Sequence, residues 1–231
     1  AASAITSDSA TGNGNITSLG GPNPTAHGVC WDTTANPDTS DNHTDEGAAG
    51  ATGTFTSSIT GLSANTTYHV RAYATNTAGT AYGNEVSFTT NGIAPTITTQ
   101  AASNITATTA TGNGNITNLG IPNPTQYGVC WSTNTSPTIA GSKTEQGAVA
   151  ATGAFTSNIT GLTPNTTYYV RAYASNSAGT AYGGEISFTT DPQAPIVTTQ
   201  AASAITANSA TGNGNITSLG GPNPTAHGVC W

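Results

Sequence analysis

Gly161-Leu162-Thr163-Pro164-Asn165-Thr166-Thr167-Tyr168-Tyr169-Val170-Arg171-Ala172-Tyr173-Ala174 is the stretch on which the fold turns. From Tyr168 onward it alternates. Tyr168, Val170, Ala172 and Ala174 fall on one side of an extended chain, and Tyr169, Arg171 and Tyr173 on the other. A period of two, carried by aromatic and β-branched residues, predicts a strand buried on its first face. The Gly, Pro and Asn before it predict a tight corner feeding that strand. The same corner and strand stand at 61–74, where Tyr68 and Val70 point inward and His69, Arg71 and Tyr73 outward.

Working outward from this strand, the whole chain repeats at an offset of about one hundred residues. Thr11-Gly12-Asn13-Gly14-Asn15-Ile16-Thr17 recurs at 111–117 and at 211–217, and Gly28-Val29-Cys30-Trp31 at 128–131 and 228–231. A unit of this length is the size of a small domain rather than of a solenoid repeat. We read residues 1–91 as a first copy lacking its opening strand, 92–191 as a complete second copy, and 192–231 as the first three strands of a third. In the complete copy, strands are predicted around 94–99, 110–117, 127–131, 155–159, 168–174 and 185–190, with one or two short edge strands within 132–153. About seven short strands per unit, with turn signals between them, predict an all-β protein of tandem antiparallel β-sandwich domains.

The corner Gly161-Leu162-Thr163-Pro164-Asn165-Thr166-Thr167-Tyr168, the strand after it and Ser177-Ala178-Gly179 resemble the E–F corner and F strand of fibronectin type III domains, within the immunoglobulin-like sandwiches. The unit as a whole resembles tandem repeats of secreted bacterial surface proteins. The resemblance implies that Tyr68 and Tyr168 are corner tyrosines. It also implies that Trp31, Trp131, Val70, Val170, Phe88 and Phe188 belong to the core. One departure stands out: Gly112 and Gly114 occupy the strand where that family places a core Trp, and Trp131 is expected to fill the space.

Composition excludes several classes of function. Ten acids against three basic residues give a net charge of −7, and charged residues are only 6% of the chain. So few cations cannot neutralise many phosphates, which argues against nucleic-acid binding. No apolar run reaches the roughly 20 residues of a membrane-spanning helix. The acids Asp32, Asp38, Asp41, Asp45 and Glu46 cluster in the first copy, but only Glu145 stands in the matching stretch of the second. His27 and His69 are replaced by Tyr127 and Tyr169, and tyrosine cannot stand in for imidazole on zinc. No nucleophile with a neighbouring base recurs, and no cofactor or metal is expected. Asn-x-Thr sequons occur at Asn15, Asn42, Asn65, Asn115, Asn158 and Asn165, in a chain where many arise by chance.

The residues left for contact with another molecule are Cys30, Cys130, Cys230, Arg71, Arg171, Tyr73 and Tyr173. Equivalent cysteines one domain apart cannot reach each other. They read either as inert, partly buried thiols or as lateral disulfides between chains. The alternation places Cys130 away from the core, which favours a face covered by another chain. Each arginine reads either as lying over its own sheet or as stacked between aromatics and meeting a sugar or a neighbouring chain.

Four residues, 91–94 and 191–194, separate neighbouring copies and lead into Pro95 and Pro195, which predicts stiff joints. For the incomplete ends, the expectation is a window on a longer array, with strand exchange between subunits as the rival. The expected function is a non-enzymatic, extracellular or cell-surface structural repeat protein that self-associates into a fibre, stalk or filament. The alternative is an adhesive or carbohydrate-binding spacer array that contacts surface polysaccharide.

Overall fold

The computed structural model describes every residue from Ala1 to Trp231 and contains strands, turns and loops but no helix. In the first repeat the strands are β1 (Ser9–Ile16), β2 (Ala26–Asp32), β3 (Asn42–His43), β4 (Gly53–Thr60), β5 (Thr67–Asn76), β6 (Gly79–Tyr82) and β7 (Val86–Thr89). The second repeat carries β8 (Thr96–Ser103), β9 (Ala110–Asn118), β10 (Gln126–Ser132), β11 (Ser142–Lys143), β12 (Gly153–Ile159), β13 (Thr167–Asn176), β14 (Gly179–Tyr182) and β15 (Ile186–Thr189). A hairpin of β16 (Ile196–Ser203) and β17 (Thr211–Ser218) follows. By its contacts the chain divides into two compact units, one of residues 1–94 with 120–122 and 177–179, the other of residues 95–119, 123–176 and 180–231.

The second repeat shows the architecture in full. One sheet has the order β12-β9-β8 and the other β11-β10-β13-β14, with β15 also on β13. Ile97, Ile116 and Ile159 from the first sheet close on Val129, Val170 and Phe188 from the second to form one buried core. This is an all-β, antiparallel sandwich. In the first repeat the corresponding sheets are β1-β4 and β3-β2-β5-β6, with β7 on β5. No strand occupies the edge of β1 that β8 takes on β9; only the bridge Ser3–Thr11 stands there.

The alternation along β13 places Tyr168, Val170, Ala172 and Ala174 in the core, as the period of two requires. The sequence reading ended the sandwich on a single strand at 185–190. The structure divides that edge between β14 and β15, with a bulge at Gly183, whose N–H donates to Ala172 O at 2.9 Å.

At the corner before β5, Asn65 adopts φ 51°, a left-handed conformation that asparagine tolerates, and Asn165 adopts φ 49°. Tyr68 Oη accepts the Ser63 N–H at 3.0 Å, and Tyr168 Oη accepts the Thr163 N–H at the same distance. Buried Thr90 donates its hydroxyl to Ser63 O at 2.6 Å, and Thr190 donates to Thr163 O at 2.7 Å. The corner is therefore closed from both sides by side chains that bond to backbone groups. These bonds satisfy polar atoms that would otherwise be buried unpaired.

The space opened by the glycines of β9 is filled differently from expectation. It is Phe155 of β12, not Trp131, that lies over Gly114. A Cβ added there would stand 2.6 Å from Phe155 Cζ and 2.7 Å from Ala172 Cβ. Trp131 instead packs at the margin of the core from β10, half-buried. The register explains this: Phe155 is paired directly with Gly114, so its ring folds across the residue that has no side chain. Tyr127 meets the same ring edge-on at 4.9 Å, and His27 meets Phe55 in the same way at 4.8 Å.

Because Ala172 is fixed within the opposing sheet and cannot retreat as a free side chain can, Gly114→Ala is expected to overpack the core. A loss of about 1–3 kcal/mol of stability should appear as a lower midpoint in urea or guanidinium unfolding.

Candidate functional site

The residues expected to meet a second chain lie on the outward face of the larger sheet, around Cys30–Arg71–Tyr73 in the first repeat and Cys130–Arg171–Tyr173 in the second. Their register is the same, with Cys30 opposite Arg71 and Cys130 opposite Arg171. That face is not open. The loop between β2 and β3, continuing to about residue 47, folds back over it, and the matching loop does so in the second repeat.

Four recurring contacts hold this loop down. Tyr73 Oη donates to Thr44 O at 2.6 Å, and Tyr173 Oη donates to Thr144 O at 2.6 Å. Cys30 Sγ donates to Pro37 O at 3.3 Å, and Cys130 Sγ to Pro137 O at 3.4 Å. Thr39 N–H donates to Tyr82 Oη at 3.1 Å, and Ile139 N–H to Tyr182 Oη at 3.2 Å. Finally, the Glu85 carboxylate accepts the Asn36 N–H, and Glu185 accepts that of Ser136. Asn36 and Ser136 both adopt positive φ, 61° and 57°. A left-handed serine is uncommon, and the glutamate accepts the N–H of the residue held in that turn. The loop sits so close that a Cβ on Gly28 or Gly128 would collide with the carbonyl of Thr44 or Thr144.

These contacts correct the reading of the site. Cys30 and Cys130 do face away from the core, yet both have 0% exposure. Tyr73 and Tyr173 are likewise buried. None of the four is open to another chain, because the chain's own loop already covers them. Cys230, in the third copy, is exposed. Arg71 stacks on Tyr82, with Cζ 4.6 Å from the ring centroid, and Arg171 on Tyr182 at 4.5 Å. Their Nε atoms donate to Gly83 O and Gly183 O, both at 3.1 Å. Each arginine is thus held on its own sheet edge rather than between the aromatics on its own strand.

Sequence reading missed Glu85 and Glu185, although they recur at the hundred-residue offset and bridge segments 49 residues apart in each copy. Recurrence was the available signal: they are the acids that keep their identity in both copies. The Glu85 carboxyl is held below its usual range, chiefly by the Asn36 N–H and then by His69, whose Nδ1 lies 2.8 Å from Oε1. The first-copy acids are turn caps. Asp38 Oδ1 accepts from Ser40 N–H at 2.7 Å, Asp41 Oδ2 from Asp38 N–H at 3.0 Å, and Asp45 Oδ1 from Gly47 N–H at 2.8 Å. The chain contains no group of three or more His, Cys, Asp or Glu residues arranged to hold a metal ion. No helix is long and apolar enough to cross a membrane.

No protein-family model matches the chain, and no curated protein matches it. Among solved structures it is similar to the FN1–FN3 domains of chicken CNTN1, with a TM-score of 0.38 and 12% identity, covering 83% of this chain. The match spans 65% of that structure's length. Strand order and register within the chain define the fold.

Chemically, this face is a latch. Burial pushes the Cys130 thiol up to about 11 and raises that of Cys30, outweighing the nearby arginines and the backbone hydrogen bonds that pull the other way. A thiol held protonated is a poor nucleophile. In native protein, iodoacetamide should label Cys230 alone, and Cys30 and Cys130 should react only after unfolding, as peptide mapping will read. The sign for stability follows from the same shift. The folded thiol keeps its proton to higher pH than the unfolded one, so its contribution is intact below about 9 and lost as pH rises towards about 11. Tyr173, pushed up to about 12 by burial, acts in the same direction at higher pH. Melting temperature is expected to fall steadily across this alkaline window.

Proposed function

We propose that this chain is a non-enzymatic, extracellular structural repeat protein whose copies associate with one another into a fibre, stalk or cell-surface filament. The observation that carries the reading is what the two copies share. The bonds that build each sandwich recur almost atom for atom: Tyr68 and Tyr168 at the corner, Tyr73 and Tyr173 on the loop, Arg71 and Arg171 on the edge, and Glu85 and Glu185 on the turn. The one pairing suited to acid–base chemistry does not recur, since His69 beside Glu85 becomes Tyr169 beside Glu185. A chain that duplicates its scaffold and keeps no acid–base pair is suited to length.

Low charge supports the same reading. With only 6% charged residues, the surfaces of like copies offer mostly Thr, Asn and Ser hydroxyls and amides to one another. The stiff joints leading into Pro95 and Pro195 limit bending between units.

Electron microscopy of the purified native protein tests this. Rods or filaments with a regular axial repeat are the expected result. Isolated flexible monomers at every concentration would refute the reading, and retention on a polysaccharide column without self-association would favour the adhesive alternative.

A further inference from the structure

The two repeats meet one packing problem with different chemistry. In the second repeat, the loop between β11 and β12 brings Gln146 down onto β12. Its Nε2 donates to Thr156 O at 2.6 Å and to Ser157 Oγ at 2.5 Å. Ser157 is 4% exposed, so the amide supplies the partner that a buried hydroxyl needs. The first repeat has the same cradle. Ser57 is 2% exposed and is paired with Gly12, as Ser157 is paired with Gly112. The loop also enters at the same point, since the Glu46 N–H donates to His27 O at 2.8 Å and the Gln146 N–H to Tyr127 O at 3.0 Å. Yet the residue in the place of Gln146 is Glu46, and Ser57 Oγ is buried with no hydrogen-bond partner.

A carboxylate cannot do what the amide does. It carries no N–H, and Thr56 O is an acceptor as well, so the two repel. The neighbours of Glu46 differ in the same sense. Where the second copy has Gly141, Lys143 and Glu145, the first has Asp41, His43 and Asp45. Lys143 Nζ lies 3.1 Å from Glu145 and balances it, whereas the first copy contains no lysine. The first repeat therefore lacks both donors, the amide and the ammonium, at one place. Negative charge stands there beside an unpartnered buried hydroxyl.

We propose that a calcium ion fills this place in the first repeat, held by the Glu46 carboxylate, Thr56 O and Ser57 Oγ, with Asp45 adding charge beside it. The position that Gln146 Nε2 takes in the second repeat sets the size of the cradle. It lies 2.5 and 2.6 Å from the two oxygens. Those distances are short for N–H···O, fall within the range of about 2.3–2.6 Å for calcium, and exceed the about 2.0–2.1 Å that magnesium demands. Ser57 and Thr56 are fixed in β4, while Glu46 is exposed, so its carboxylate can stand back from that point by one calcium–oxygen distance. One protein ligand is a carboxylate and two are neutral oxygens, and water completes the shell on the open side. A site with so little charge binds weakly, with a Kd of about 10⁻⁴–10⁻³ M, the range of extracellular calcium modules. The second repeat has no such site, because the Gln146 amide already occupies the cradle. Nothing in this site depends on self-association, so it stands apart from the filament reading.

Calcium chloride titrated into the full chain and followed through backbone amide NMR shifts tests the site. Expected are saturating shifts at Glu46, Gly47 and Ser57, with Gln146 and Ser157 unmoved. Magnesium chloride should bind at least about tenfold more weakly. Glu46→Gln reproduces an arrangement with which the second repeat already folds, and it should abolish the calcium shifts. Ser57→Ala removes the buried oxygen and should weaken binding at least about tenfold. Unchanged amides in the second repeat will show that both variants keep the fold. Shifts confined to the turns at Asp32, Asp38 and Asp41, an equal response to magnesium, or calcium binding undiminished in either E46Q or S57A would overturn the proposal. So would the absence of any saturable shift up to about 20 mM calcium, well above the expected range.

Discussion

Everything in each repeat depends on one strand that is covered on both faces and paired on both edges. In the second repeat this is β13, with β10 on one side and β14 and β15 on the other. Its inward residues, Tyr168, Val170, Ala172 and Ala174, are core, and its outward residues, Arg171 and Tyr173, anchor the overlying loop and the sheet edge. Backbone groups on such a strand have no route to water, so each must find a partner within the protein. That demand explains why the neighbouring contacts are so often side chain to backbone: Tyr168 to Thr163, Tyr173 to Thr144, Thr99 to Ala172.

A second constraint is the close approach permitted by glycine. Gly114 admits the Phe155 ring, and Gly128 admits the loop backbone at Thr144. The sandwich is therefore compact without large residues on every strand, and it reaches this compactness with few charges. Closely packed layers with polar, uncharged exteriors would suit the proposed self-association, since little desolvation of charge would accompany contact.

Much of this was legible from residues alone. The strands follow their period of two, and the comparison of copies separated scaffold residues from incidental ones. Two readings went astray for physical reasons. Trp131 was assigned to a space that Phe155 fills, because which strand pairs with β9, and in what register, is not written in either strand separately. Cys130 was placed correctly on the outward side of β10, but of its two readings, a buried thiol or a contact with another chain, the second does not hold, since the residue is fully buried. Its cover is Pro137 and the loop around it, which contribute backbone carbonyls rather than a recognisable motif. Glu85 was passed over for a similar reason, since its chief partner is a main-chain N–H 49 residues away.

The sequence by itself determined the strands, the repeat, the scarcity of charge and the residues that face the core. Alternation and composition are local properties, and each strand carries them whole. Only the tertiary structure decided which surfaces are open. It closed the cysteine face with the chain's own loop and held each arginine on its own sheet edge. Whether a face is covered depends on chain segments distant in sequence meeting through backbone groups that all residues share, and no residue identity records that.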